Sequence, residues 1–215
     1  MPRRSSIRCP ANRCQAVTLT ELLVVIAVIS MLASVSMPAI SGLMRGQDMT
    51  RGIFAFSGAL EEARSMAMAQ NTFVWLGVAE KLTDGRRSVI LTAVSARSGQ
   101  ASDLQTGNTR PLMRPVTLKN MSLSESGYQQ LEGVDRANST DFGKSTFSFS
   151  QKLPGETSTT LFKAIEFRPS GEIALCAGAL RYVGIGLSGG PGDEATRQQA
   201  GIQLSRLSGH AVVFR

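Results

Sequence analysis

Ala16-Val17-Thr18-Leu19-Thr20-Glu21-Leu22-Leu23-Val24-Val25-Ile26-Ala27-Val28-Ile29 decides how this chain is read. One carboxylate, Glu21, stands near the start of an apolar run. From Leu22 to Met44 no residue is charged. A run of that length spans a bilayer core, which takes about 20 helical residues. An acidic side chain at the centre of a membrane helix costs roughly 2.5–3.5 kcal/mol and less near an end. Such a residue normally has a partner. A cut just before Val17 would create one, the positive amine of the new terminus.

The residues before the run are basic. Arg3, Arg4, Arg8 and Arg13 stand in residues 1–16 with no acid among them. That charge holds a leader on the cytoplasmic side. A secretory signal has the same outline. A cut after Ser34-Val35-Ser36 offers no clean Ala-x-Ala site and leaves Glu21 unexplained. An uncleaved signal anchor explains the apolar run but not the Thr-Leu-x-Glu spacing.

These residues resemble the prepilin-type N-terminus of type IV pilins and type II secretion pseudopilins. The family pattern is a small residue, an aromatic, then Thr-Leu-x-Glu and a long apolar run. Ala16 stands where Gly is usual and Val17 where Phe is usual; Thr18, Leu19 and Glu21 match. Pro38 falls where many pilins carry a helix-bending proline. The resemblance implies cleavage between Ala16 and Val17 by a prepilin peptidase and methylation of the Val17 amine. It also implies assembly with other pilins or pseudopilins, in which Glu21 sets the register by meeting a neighbour's terminal amine.

Removing the leader takes away four arginines, so the formal net charge falls from +7 to +3. Cys9 and Cys14 leave with it. Cys176 is then the only thiol, and the exported domain must fold on its core without an internal disulfide. Its setting in Ile173-Ala-Leu-Cys-Ala reads as a small buried strand residue.

Residues 17–44 read as a transmembrane helix that Pro38 should bend or open. Residues 45–70 read as its amphipathic continuation. Met49, Ile53, Phe56, Leu60, Ala63 and Ala67 recur at helical steps, with Glu61, Glu62 and Arg64 off the stripe. Helix from Val17 to Gln70 would reach roughly 80 Å at 1.5 Å per residue. Gly52 and Gly58 weaken it by about 0.8–1 kcal/mol each relative to Ala, so the stripe needs a packing partner. Asn71 stops the helix.

Residues 71–215 read as a β-rich domain. Strands are expected at Thr72 to Ala79, Ser88 to Val94, Val116 to Leu123, Thr146 to Phe149 and Lys163 to Arg168. Further strands are expected at Ile173 to Cys176 and Tyr182 to Leu187, with a terminal hairpin of Ile202 to Leu207 and Ala211 to Phe214. The polar stretches at 98–111 and 124–144 read as loops that hold specificity. The fold class is α+β, a long N-terminal helix on a mainly antiparallel sheet. The helix-to-strand passage Leu60 to Val74, the strand and turn Ile165 to Gly171, and the hairpin Ile202 to Val213 resemble minor pseudopilins of the GspH/FimT-type branch. That resemblance implies a single-pass protein of the bacterial inner membrane, in contact with lipid. Its N-terminus would be cytoplasmic and its β domain periplasmic.

No enzyme is expected. Gly186-Leu187-Ser188-Gly189-Gly190 matches G-x-S-x-G, with Asp193 and His210 following. The elbow needs a strand, a sharp turn and a helix, whereas Pro191-Gly192 follows here. Neither a cofactor nor a metal is expected, because zinc sites need several Cys or His at set spacing. Asp193 and Glu194 alone are too few for calcium. Some proteins of the FimT-like branch take part in DNA uptake, and Arg197, Arg206 and Arg215 are the candidates for a basic patch. They are scattered in sequence, where a DNA-binding face usually clusters its basic residues. A non-polymerising anchored domain is the remaining alternative.

Overall fold

The computed structural model describes residues 18–215 except 84, 125–127, 129–130, 177 and 190–197, and describes backbone alone over 35–46 and at 83. Helix α1 runs continuously from Leu19 to Ala69, through Pro38. Two compact units divide within it, Met1–Gly42 and Leu43–Arg215.

The second unit is built on the stripe. Met49, Ile53, Phe56, Leu60, Ala63 and Ala67 are all buried, whereas Glu62 is exposed and Glu61 and Arg64 are half-buried. Asn71 ends the helix in a left-handed conformation at φ 49°. The Thr72 N–H then reaches back to the Ala67 carbonyl at 3.1 Å, satisfying one of the last free helical acceptors.

Two sheets receive the stripe. The first has the order β3-β2-β1-β8-β7, with β4 also pairing β2 and β9 pairing β8. Its strands are β1 (Val74–Thr83), β2 (Arg86–Ala96), β3 (Thr109–Pro111), β4 (Val116–Lys119), β7 (Phe147–Lys152), β8 (Thr159–Phe167) and β9 (Ile173–Ala174). The second has the order β12-β11-β10-β5, with β6 pairing β10 in parallel. It comprises β5 (Met121–Leu123), β6 (Ser139–Asp141), β10 (Tyr182–Gly189), β11 (Gln198–Ser205) and β12 (Ala211–Phe214). All other recorded pairings are antiparallel. The architecture is α+β, a helix packed on largely antiparallel sheets.

Strand alternation sorts the core. Val74, Leu76 and Val78 of β1 share one cluster with the α1 stripe and with Ile165, Phe167, Val183, Ile185 and Leu187. Trp75 points the other way, packing with Val94, Ala96 and Ala164 under Phe73, Leu104, Phe147 and Phe149. The first sheet is thus covered on both faces. Its outer layer contains a polar pair, the Trp75 indole N–H donating to Glu166 Oε2 at 3.1 Å. Both residues are buried.

Several segment readings need correction. The stretch Val116 to Leu123 is two strands in different sheets. Asn120, at φ 57°, turns the chain between them, and its side chain donates to Asp48 Oδ2 on α1 at 3.2 Å. The stretch 98–110 is ordered by Asp103 at the start of the four-residue helix α2 (Asp103–Thr106). The Asp103 carboxylate accepts from the Ser98 N–H at 2.7 Å, the Ser98 hydroxyl at 2.8 Å and Asn108 Nδ2 at 3.1 Å. The 124–141 stretch contributes β6, and a 3-10 turn follows at Phe142–Lys144. Strand β9 stops at Ala174, so Cys176 is a half-buried bend residue against the core.

Gly52 is more than a weak helix former. A Cβ there would lie 2.0 Å from the Met121 sulfur, so the glycine lets β5 approach the helix.

Candidate functional site

The N-terminal segment starts with a cap. The Glu21 N–H donates to Thr18 Oγ1 at 3.3 Å, and the Leu22 N–H to the Thr18 carbonyl at 3.2 Å. Thr18-x-x-Glu21 is the sequence pattern of a capping box, and the carboxylate sits where the positive end of the helix dipole favours it. The resemblance ties the Thr-Leu-x-Glu spacing to processing and to register alone. Its capping role was legible in the same four residues.

Above the cap the segment is exposed on every side. Leu22, Leu23, Val24, Val25 and Ile26 are 49–60% exposed. Five consecutive residues at 100° steps cover the whole circumference. No face is therefore packed, and the apolar surface continues through Ile29, Met31 and Leu32. The polar groups there are turned inward. Ser30 Oγ donates to the Ile26 carbonyl at 2.7 Å and Ser34 Oγ to the Met31 carbonyl at 2.8 Å. A serine whose hydroxyl is satisfied by its own helix is compatible with apolar surroundings. Glu21 is the exception. Among the described residues its carboxylate accepts no hydrogen bond. Ala16 and Val17 lie outside the described residues, as does the Pro38 side chain. Among the described residues no helix is long and apolar enough to cross a membrane.

The β domain does not assemble the hydrolase constellation. Ser188 is buried within β10 and paired to Gln199, and its hydroxyl shares a 2.7 Å hydrogen bond with Ser122. His210 lies beyond the other end of β11, past Ser205. Six residue steps along the strand lead from Gln199 to Ser205, about 20 Å at 3.3 Å per residue. The fold also explains the glycines of that motif. A Cβ on Gly186 would fall 2.0 Å from the Ser124 carbonyl oxygen, and one on Gly189 would fall 2.8 Å from the Met49 sulfur. Asp193 lies outside the described residues. His210 is an exposed turn residue, its Nδ1 3.4 Å from Glu61 Oε1 on α1.

Of the basic-patch candidates, the two described ones, Arg206 and Arg215, are held by separate neighbours. Arg215 lies over the Phe54 ring at 5.6 Å, on the outer face of α1. Arg206 instead binds backbone carbonyls of Ala179 and Leu180. Arg197 and Glu194 lie outside the described residues. Among the described residues no cluster of three metal-ligating side chains forms.

Residues 11–37 match the prokaryotic N-terminal methylation motif. The match spans the Ala16–Val17 junction, Thr18, Glu21 and the exposed apolar segment, and leaves 38–215 uncovered. The motif indicates a type IV pilin-like or pseudopilin subunit. It implies processing by a prepilin peptidase, assembly with other pilins, and a membrane-anchored place in the cell envelope. Comparison with curated proteins and with solved structures gives no significant match.

Proposed function

We propose that this chain is a minor pseudopilin of the GspH/FimT-type branch, serving a type II secretion or type IV pilus-like system. It acts by assembling rather than by catalysis. The observation that carries this reading is the coincidence of the methylation motif with a helix segment exposed over its whole circumference. A surface that apolar needs lipid or neighbouring helices around it. Residues 17–44 anchor the chain in the inner membrane, with the basic leader in the cytoplasm and the β domain in the periplasm. The peptidase cuts between Ala16 and Val17 and methylates the Val17 amine. Pro38, with no backbone N–H to donate, bends or opens the helix within that anchor.

In that setting Glu21 has one task. A lone charge in apolar surroundings is strongly unfavourable, whereas a paired one is tolerated. Glu21 of one subunit meets the Val17 amine of the next and so fixes the axial register.

Intact mass of the chain from membranes, with and without the prepilin peptidase, tests the processing step. The expected product starts at Val17 and carries one added methyl group, in a peptidase-dependent manner. A start at Met1, or a cut near Ser36, refutes the reading. Filament assembly by the Glu21→Ala variant tests the register step separately. Unimpaired assembly of that variant, correctly processed, removes the pairing while leaving the processing intact.

A further inference from the structure

Three arginines far apart in sequence meet at one end of the two sheets. Arg168 follows β8, Arg181 precedes β10 and Arg206 follows β11. Backbone hydrogen bonds hold them together. The Arg206 N–H donates to the Arg181 carbonyl at 3.0 Å, and the Arg206 carbonyl accepts from Ile173 at 2.9 Å. The Arg168 N–H donates to the Glu172 carbonyl at 2.9 Å. With Glu172, Ile173 and Leu207 these arginines line a cavity of about 320 Å³.

The side chains around that cavity are unevenly satisfied. Arg168 Nε lies 3.4 Å from Glu166 Oε1, and its Nη1 3.8 Å from Glu172 Oε2. Among the described residues Arg181 has no carboxylate partner; its guanidinium lies over the Tyr182 ring at 5.5 Å. Arg206 spends Nη1 on two backbone carbonyls, while its Nε–H is buried with no acceptor among the described residues. Buried donors are almost always paired. Three guanidinium groups against the carboxylates of Glu166 and Glu172 leave one net positive charge. Beside them Leu207 is 71% exposed and Ile173 is buried.

We propose that this cavity docks a single carboxylate carried beside an apolar side chain, on an acidic segment of a partner protein. One net charge matches a monoanion. Nucleic acid instead calls for basic residues repeated along a track, and here two acids interrupt the cluster. Guanidinium groups bind carboxylates with two parallel hydrogen bonds, and Leu207 supplies an apolar contact that a phosphate backbone would not use. The proposal does not depend on whether the chain forms filaments.

The test uses the full chain in detergent micelles with ¹⁵N-labelled arginine, titrated separately with isovalerate, acetate, inorganic phosphate and a DNA duplex. A saturable shift of the Arg206 Nε–H resonance is expected, at lower concentration with isovalerate than with acetate. Arg206 anchors two carbonyls, so the variants are Arg181→Gln and Leu207→Ser, both at exposed side chains. Arg181→Gln should weaken isovalerate about fivefold, as for an exposed charge pair. Leu207→Ser should erase the advantage of isovalerate over acetate. The absence of a saturable shift overturns the proposal. So does tighter binding of phosphate or duplex, which would make the site a phosphate reader.

Discussion

Gly52 and Gly58 lie in the same helix, six residues apart, and Ala at each should change stability in opposite directions. Each substitution recovers about 0.8–1 kcal/mol of helix propensity. At Gly58 a Cβ meets nothing within 4 Å. The whole gain should appear as stability, about 2–4 °C in Tm for a chain of this size. At Gly52 the Cβ would lie 2.0 Å from the Met121 Sδ and 2.9 Å from its Cε. Met121 is 1% exposed, so its thioether must repack within the core. Overpacking a filled core costs about 1–3 kcal/mol. Subtracting the propensity gain leaves a net loss of about 0–2 kcal/mol. Met121→Ala alone should cost about 2–5 kcal/mol through its cavity. In the double variant the methyl group introduced by Gly52→Ala occupies part of that cavity, so the double should cost less than the sum of the singles. Trp75, the only tryptophan and fully buried, reports unfolding by its fluorescence. Denaturant titration of the full chain in detergent gives all four values. Equal stabilisation by both glycine substitutions, or strict additivity with Met121→Ala, would refute the packing argument.

Other consequences are as direct. Burial pushes the Asp103 carboxyl up, but donors from the Ser98 backbone and hydroxyl, Asn108 and the Arg97 backbone outweigh it, so its pKa lies below the usual 3.8. A depressed folded pKa means that its stabilisation is present above the unfolded value and is lost as pH falls through the folded one. The protection of the 97–108 amides, taken relative to their intrinsic exchange at each pH, should therefore fall below pH 3.8 in the native chain, and Asp103→Asn should remove that step; an unchanged profile counts against the reading. Glu166→Leu deprives the buried Trp75 N–H of its acceptor and should cost about 1–3 kcal/mol, read as a lowered denaturation midpoint. Asn120→Gly should be tolerated at its positive φ if the Asp48 contact adds little, whereas Asn120→Val should destabilise by about 1–2 kcal/mol or more; thermal melts that rank Val above Gly would contradict the corner's geometry.

The helix was legible because its signals are local. The stripe from Met49 to Ala67 repeats at helical spacing, and Asn71 supplies the left-handed stop. The terminal hairpin was legible for the same reason, with Gly209 at φ 66° in its turn. The sheet partition was not. Val116 to Leu123 carries one continuous β pattern, and only Asn120, tied to Asp48 of α1 72 residues earlier, shows where the chain changes sheets. The outer layer over Trp75 was hidden likewise, since it draws Leu104, Phe147 and Phe149 from segments without mutual periodicity. The arginine cavity arises from strand register: Tyr182 opposite Ser205 is what sets Arg181 beside Arg206. Sequence spacing carries no record of that pairing, and the C-terminal sequence offers Arg197, Arg206 and Arg215 instead.

The cap geometry sharpens what Glu21 does. In a full capping box the acidic side chain reaches back to the N-cap amide while the N-cap hydroxyl serves the third helical N–H. Here the second half is made, through Thr18 Oγ1 and the Glu21 N–H, and among the described residues the carboxylate accepts nothing. The backbone duty at position 21 thus falls to Thr18, and the Glu21 side chain stays available to a cation. The two residues should consequently separate by experiment. Thr18→Val removes the cap hydroxyl and should fray the first turn, at a cost of about 1 kcal/mol, without removing the charge. Glu21→Gln keeps the cap and removes the charge. If register pairing is the role of Glu21, Glu21→Gln should abolish assembly while Thr18→Val only weakens it; equal defects in both would reduce Glu21 to helix initiation.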